Sequence, residues 1–306
     1  MKPKRSLRYA GLHPRTLRAY RAAIDRFLKF VNKKHLKISK PRQLDRQIAE
    51  FIDVSFQEGE PLSYSGHLLS AVTRFHPQLR LVLPQSSQFL RNWQRCYVPQ
   101  RALPASWALV EALMGFAFER GESNLGLLLG LGFCCLLRTS EILAITHHHV
   151  VFHPRNTGLS VILPGSKTSQ GNPQVLFVED PQLVAMARAI ISPTSKRLLW
   201  TQGAHAFRAW FSRLLEDAGF GPSDYTPYAL RRGGATWWFQ HTLSIDSVVA
   251  RGRWACPHTA KSYVDEGTMQ LANVTWTRAQ RRRVREGQRF CSQVRLRQKR
   301  SRSGTV

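Results

Sequence analysis

The second half of the sequence carries side chains that together suit chemistry on a phosphodiester. Arg138 in LLRTSEIL and Arg231 in YALRRGGAT offer planar forks of donors that stay charged and can clamp two non-bridging oxygens. Lys167, in the Gly/Ser-rich stretch PGSKTSQG, is a candidate proton donor for a leaving oxygen. Tyr263 is a candidate nucleophile that would form a covalent phosphotyrosine. Such chemistry requires neither a metal nor a nucleotide.

None of these residues is diagnostic alone. A lysine in a Gly/Ser-rich turn is more often solvated surface, and an isolated tyrosine is more often a half-buried core residue. Arg138 has a second interpretation, an ion pair with Glu141 three residues later, which would also hold the arginine in place. Order and spacing favour a shared site, because Trp254 follows Arg231 by 23 residues and Tyr263 follows Trp254 by nine.

These segments carry a family resemblance. PYALRRGGATWWF, GRW and the tyrosine nine residues later resemble the C-terminal motifs of the tyrosine recombinase (phage integrase) family, and LLRTSEILAIT resembles its first arginine box. The resemblance implies that Arg138 and Arg231 activate the phosphate. It further implies that Lys167 protonates the leaving group and that Tyr263 attacks, so that DNA is cleaved and rejoined through a 3′-phosphotyrosine. The family's mobile-element members make a mobile-element origin an expectation.

Two positions near the tyrosine bear on the proton chemistry. Trp254 falls at the family's His/Trp position, where it would hydrogen-bond the phosphate. Tyr228 stands three residues before Arg231, where the family usually has histidine, and a phenol with a pKa of about 10 is a poor proton shuttle near neutrality. His258, the nearest imidazole to Tyr263, is more typical of a surface or capping residue. The alternative function is therefore a catalytically impaired, domesticated DNA-binding relative of such recombinases.

The charge of the chain favours a polyanionic partner. Lys and Arg number 45 against 19 acids, which gives a net charge of +26, too large for a typical metabolic enzyme. We expect double-stranded DNA as the partner, and the resemblance implies a homotetramer on paired sites. The longest apolar segment, residues 125–137, is well short of the roughly 20 residues that span a membrane. No RNA-recognition motif is visible, which disfavours an RNA-binding function.

Other chemistry is disfavoured by residue patterns. His147, His148 and His149 are adjacent and cannot all face one point, so a zinc site is not expected. Gly233-Gly234 lacks the spacing of a nucleotide-binding loop and is more typical of a close approach between two helices. We therefore expect no cofactor. The five cysteines form no C-x-x-C motif and no evident disulfide frame, which indicates a reducing interior, cytosol or nucleus. We expect the protein to be nuclear or nucleoid-associated.

The apolar pattern predicts a mainly α-helical chain with a small inserted β-sheet. In the first helix, over residues 13–31, apolar positions recur every three or four residues and alternate with basic ones, which favours a phosphate-facing helix. Three segments are β-rich, and Lys167 is expected near the tip of a hairpin between the last two: residues 148–153, 159–163 and 174–178.

Proline and charge patterns divide the chain into three parts. Residues 1–100 are predicted to form a helical DNA-binding unit that resembles the family's core-binding domain, and a linker with two prolines follows at residues 98–104. Residues 105–275 are the expected α+β catalytic recombinase domain. Residues 278–306 are interpreted as a basic C-terminal tail, since residues 278–302 hold eleven Lys/Arg and one acid.

Overall fold

The structure is a computed structural model that describes residues 9, 11–97, 102–154, 157–164, 172–222 and 224–303, with side chains described as far as residue 293. The chain forms two compact units, Met1–Gln100 and Arg101–Val306. The architecture is mainly helical with one small antiparallel sheet, as the sequence predicted. Of the described residues, none forms a helix with the length and apolarity needed to span a bilayer.

Within residues 11–97, the N-terminal unit forms four α-helices. Three of them begin at a proline, whose fixed φ and missing N–H suit the first helical turn. Asp45 of the second helix accepts hydrogen bonds from the backbone N–H groups of Gln85 and Ser86, which caps the fourth helix and joins the two. The helices are α1 (Pro14–Lys33), α2 (Pro41–Gln57), α3 (Leu62–Phe75) and α4 (Pro84–Cys96).

Helix α1 is divided into an apolar side and a basic side. Ala23, Phe27 and Val31 are buried in the core of the unit, where Phe27 meets the ring of Phe51 at 5.7 Å between centroids. The basic side chains lie on the exposed side: Arg15, Arg18, Arg21 and Lys29. The predicted alternation of apolar and basic positions is therefore present as two faces of one helix.

The C-terminal unit is built around two helices that are apolar on nearly every side. Both are buried, as such helices must be. They are α5 (Trp107–Glu119) and α6 (Ser123–Cys134), and α7 (Thr139–Ile142) follows after a turn. The remaining helices are α8 (Pro181–Ile190), α9 (Gly203–Asp217), α10 (Tyr228–Thr242), α11 (Ile245–Gly252), α12 (Pro257–Lys261), α13 (Glu266–Thr275) and α14 (Arg278–Ser303).

The strands of the sheet follow α7 and precede α8 in the sequence. These strands, β1 (Val150–Phe152), β2 (Leu159–Leu163) and β3 (Gln174–Val178), pair in the order β1-β2-β3, all antiparallel. The predicted bounds of β2 and β3 are confirmed, and so is their pairing. β1 is shorter than predicted because residues 147–149 form a 3-10 turn. Residues 165–171, which include Lys167, lie outside the described residues.

The charge of residues 278–306 predicts a basic C-terminal tail, but most of this segment forms helix α14, which packs on the rest of the C-terminal unit. Residues 278–303 are helical, and Val284 and Cys291 are buried against the rest of the C-terminal unit. A Cβ on Gly287 would lie only 2.6 Å from the carbonyl oxygen of Ala112 in α5, so the two backbones are in direct contact. The physical reason is that residues 284, 287 and 291 recur at helical spacing, and a narrow uncharged face is enough to dock a helix that is otherwise basic.

Candidate active site

The C-terminal end of α6 is where the basic side chains gather. The chain turns sharply after this helix, with Leu136 in the left-handed region at φ 50°. The last carbonyls of a helix lack intrahelical partners and carry its partial negative charge. Arginines from α10 and from the end of α11 donate to the last carbonyl of α6 and to the two carbonyls that follow it: Arg251 to Cys134 at 2.9 Å, Arg253 to Cys135 at 3.0 Å, and Arg231 to Leu136.

Arg231 is fully buried. Its second terminal nitrogen donates to the carbonyl of Gly252 at 2.7 Å. Helix α10 packs closely on α6 because Gly234 has no side chain. A Cβ at this position would lie 2.2 Å from the carbonyl oxygen of Phe133, so the predicted close approach of two helices is confirmed. Burial, together with the charges of Arg138 and another nearby arginine, lowers the pKa of Arg231 to about 10. The guanidinium is still protonated at neutral pH.

Glu141 joins two arginines of the site. Arg138 caps the start of α7, its guanidinium lies 2.6 Å from one Glu141 oxygen, and its backbone N–H donates to the other at 2.8 Å. The structure thus contains the ion pair that the sequence suggested. The side chain of Arg253 donates to the same carboxylate at 2.7 Å. Burial alone would raise the pKa of Glu141, but Arg253 and Arg138 bring it below its ordinary value. The carboxylate is therefore ionised and holds Arg138 in place.

Tyr263 lies directly above Arg231. The guanidinium carbon of Arg231 is 5.5 Å from the centroid of the Tyr263 ring and 4.4 Å from that of Trp254, both within the range of a cation–π contact. The rings of Trp254 and Tyr263 are 4.6 Å apart. Trp254, Tyr263 and Arg231 therefore form one cluster, in which the guanidinium lies beneath two aromatic rings tilted at 54° to each other.

Tyr228 donates a hydrogen bond to the hydroxyl oxygen of Tyr263. Burial and this hydrogen bond raise the pKa of Tyr228 to about 12, so Tyr228 keeps its proton. Burial alone would also raise the pKa of Tyr263, but the hydrogen bond from Tyr228 and the charge of Arg231 lower it below its ordinary value. Tyr228 therefore acts on Tyr263 as a hydrogen-bond donor and not as a base.

The segment that carries Tyr263 is anchored to α10. Arg232 forms an ion pair with Asp265 at 2.9 Å, and the hydroxyl of Thr236 donates to the carbonyl of Tyr263 at 3.4 Å. The backbone N–H of Asp265 in turn donates to the Thr236 hydroxyl at 3.1 Å. These contacts fix the backbone from Tyr263 to Asp265 against α10.

Five of the six sequence-predicted residues lie together in this unit: Arg138, Tyr228, Arg231, Trp254 and Tyr263. Lys167 falls on residues outside the description. His258 is exposed on α12, and Tyr228 provides the hydrogen bond to Tyr263 instead. Sequence reasoning missed Arg253, although a basic residue beside Gly252 and Trp254 in the GRW motif was an available signal. Across the described residues, no three His, Cys, Asp or Glu side chains form a group that could hold a metal ion.

Solved structures share this architecture. The integrase of the transposon Tn1549, in complex with transposon right end DNA, matches with a TM-score of 0.61 and 12% identity over 87% of this chain and 93% of that one. A lambda integrase dimer bound to a COC' core site matches with a TM-score of 0.57 and 14% identity over 84% and 91%. The XerH site-specific recombinase bound to difH matches with a TM-score of 0.56 and 15% identity over 85% and 79%. This chain has the tyrosine-recombinase fold.

The tyrosine-recombinase fold is recognisable here from structure and not from overall sequence. No family model matches the sequence. No curated protein matches it either. The motifs around Arg138, Arg231 and Tyr263 are short and widely separated, so they contribute few identities in a chain of 306 residues. The fold brings these short motifs to one end of α6.

Proposed function

We propose that this protein is a site-specific DNA recombinase or integrase that cleaves and rejoins duplex DNA through a 3′-phosphotyrosine. The observation that supports the proposal is the cluster of Arg231, Trp254 and Tyr263 beside the ion pair of Arg138 and Glu141. Two fixed guanidinium groups next to a phenol of lowered pKa are suited to activating a phosphodiester and attacking it.

The reaction proceeds by exchange of one phosphate ester for another. The two arginines bind the non-bridging oxygens and stabilise the charge that develops on them. The phenolic oxygen of Tyr263 loses its proton and forms a bond to phosphorus, while the bond from phosphorus to the 5′ oxygen breaks. Lys167 is proposed to give that oxygen its proton, and Trp254 to donate a hydrogen bond to the phosphate. Attack of a free 5′ hydroxyl on the phosphotyrosine reverses these steps and rejoins the strand.

The proposed reaction has no general base at position 228. Tyr228 is a hydrogen-bond donor to the nucleophile instead. Because its own pKa is about 12, it cannot accept the proton of Tyr263 near neutral pH. Its hydrogen bond instead stabilises the phenolate of Tyr263, so that a larger fraction of the nucleophile is ionised at a given pH. The proton then leaves to solvent before attack, and the cleavage rate is expected to rise with pH until Tyr263 is ionised.

The DNA-binding surface of the proposal includes the N-terminal unit. The exposed basic side of α1 fits the phosphate backbone of a duplex, and the net charge of +26 favours such a polyanion. Assembly as four copies on two paired sites is proposed from the family resemblance, as is action in the nucleus or nucleoid. The affinity for duplex DNA should fall steeply as salt is raised.

A second candidate function is DNA binding without cleavage. Two observations favour it: Tyr228 cannot act as a base, and Arg231 is fully buried beneath two rings. A protein with this function would bind duplex DNA with the same dependence on salt. It would form no covalent intermediate.

A nicked duplex that loses a short strand on cleavage separates the two functions, because it traps the covalent product. The wild type is expected to give a protein–DNA adduct on a denaturing gel. Tyr263→Phe should give none while still binding the duplex, and Tyr225→Phe, a buried tyrosine of the same unit, should behave as the wild type. An adduct with Tyr263→Phe contradicts the assignment of the nucleophile. Binding by the wild type without an adduct supports the second candidate.

Tyr228→Phe tests the role of the hydrogen bond. Without the donor, the pKa of Tyr263 should rise, so the plot of adduct formation against pH should move to higher pH with the same maximum. A plot that keeps its position shows that Tyr228 does not act on the ionisation of Tyr263.

A further inference from the structure

Helix α14 carries a row of arginines on the side that faces away from the core. Four exposed arginines, here called the α14 stripe, follow one another by four, three and four residues: Arg278, Arg282, Arg285 and Arg289. At 3.6 residues per turn this spacing puts all four on one side of the helix, over roughly 16 Å at 1.5 Å per residue. The buried residues Val284 and Cys291 lie on the other side.

The α14 stripe is not used by the fold. Two other arginines of the helix do contact the rest of the fold or a neighbouring side chain. Arg281 donates to the carbonyl of Trp276 at 2.7 Å, and Arg283 lies 2.6 Å from Glu286. Glu286 is the only acid between residues 278 and 303. The side chains of the four stripe arginines make no hydrogen bond or ion pair with any residue that the structure describes. Their charges are therefore available to a ligand.

The stripe is held in place by contacts on the opposite side of the helix. Gln288 donates to Glu111 at 2.9 Å, and the side chain of Gln182 lies 2.7 Å from the sulfur of Cys291. The backbone contact at Gly287 adds to these. Like charges three or four residues apart on a helix repel each other, so the stripe itself opposes helix formation. A docked helix presents its arginines without the ordering cost that a flexible tail would have on binding.

A duplex has the charge density that this stripe requires. Double-stranded DNA carries about one phosphate charge per 1.7 Å of axis, so roughly 16 Å presents about nine. The planar fork of a guanidinium matches two oxygens of one phosphate. Four such forks in a row therefore fit a run of backbone phosphates.

We propose that the α14 stripe is a second surface for the phosphate backbone of duplex DNA, in addition to the cluster around Arg231. The two are built from different elements, since α14 packs on α5 and α8 whereas the cluster is formed by the end of α6 with α7, α10, α11 and α12. The choice of DNA as the polyanion that binds the stripe rests on the proposed function, whereas the stripe itself is a feature of the structure. Contacts to phosphate carry no sequence information, so the stripe contributes affinity and not the choice of site.

The test compares three full-length proteins on one fluorescein-labelled duplex of mixed sequence. The stripe variant combines Arg282→Gln, Arg285→Gln and Arg289→Gln, since glutamine has nearly the helix propensity of arginine. The control removes the same charge from exposed side chains elsewhere in the C-terminal unit: Lys196→Gln, Arg197→Gln and Arg208→Gln. Binding constants are measured by fluorescence anisotropy over a range of salt concentrations, and circular dichroism confirms equal helix content.

The expected result is a smaller salt dependence in the stripe variant alone. Loss of three phosphate contacts should reduce the slope of log K against log salt by roughly 2.7, which between about 50 and 200 mM salt is about a 40-fold smaller loss of affinity. Equal slopes for the two variants overturn the proposal, because position would then not matter. A stripe variant with the wild-type slope also overturns it and directs attention to an acidic protein partner. A wild type that does not bind the duplex contradicts the proposed function as well.

Discussion

Glu141→Gln should destabilise the C-terminal unit by about 2–4 kcal/mol. The carboxylate makes three charge-assisted contacts, at 2.6 and 2.8 Å with Arg138 and at 2.7 Å with Arg253. Each is worth about 1.5–3 kcal/mol, but glutamine keeps one acceptor oxygen and the Arg138 side chain is 35% exposed, which weakens its share. The larger loss is at Arg253, which is left with its carbonyl partners but no counter-charge.

Urea unfolding followed by tryptophan fluorescence measures this change, because seven of the eight tryptophans lie in the C-terminal unit. Glu286→Gln is the matched control, since Glu286 also lies three residues after its arginine but both side chains are more than a third exposed. The control should cost less than about 1 kcal/mol. If the two variants differ by less than about 0.5 kcal/mol, the network around Glu141 does not stabilise the unit as argued.

The pH dependence of the same measurement has a definite sign. The pKa of Glu141 is lower in the folded protein than in the unfolded chain, so its contribution is complete above the unfolded value of about 4.3. It is lost as the pH falls through the folded value. The difference in stability between the wild type and Glu141→Gln should therefore be constant near neutrality and shrink in acid.

Two further predictions concern the backbone. Leu243 and Arg253 both end a helix at positive φ, 50° and 57°. Leu243→Gly, at a side chain 79% exposed, should raise the free energy of unfolding by roughly 0.5–1 kcal/mol, whereas Arg253→Gly should lower it by about 2 kcal/mol, and equal effects in urea unfolding would contradict this. Gly287→Ala should destabilise the unit because its Cβ meets α5. Gly267→Ala, which meets nothing within 4 Å, should be neutral or stabilising, and thermal unfolding of the two variants distinguishes them.

Local signals in the sequence predicted much of the fold. The apolar spacing over residues 13–31 predicted helix α1, and the β-rich segments 159–163 and 174–178 match the bounds of β2 and β3. The site was predictable to a similar degree, because its motifs occur in order. Arg138 and Glu141 are three residues apart, so their ion pair could be inferred from helical geometry alone.

Contacts between distant residues were not predictable in the same way. Arg253 reaches Glu141 across 112 residues, and nothing in a single sequence shows which glutamate it will meet. Helix α14 was interpreted as a tail because its charge dominates its composition. Its docking depends instead on Gly287, where the absence of a side chain is what allows α5 to approach.

The position of Arg231 beneath Tyr263 has a consequence for when the proposed reaction can start. A phosphate can touch this guanidinium only after an aromatic ring swings aside, and the ring that must travel to reach phosphorus is one of the two that cover it. One displacement of Tyr263 would both bring the nucleophile to the phosphate and expose Arg231, which activates that phosphate. A cation–π contact of roughly 1–2 kcal/mol alone holds the open form at about 3–16 per cent, and loss of the hydrogen bond from Tyr228 lowers that population further, so the closed form predominates until DNA is bound.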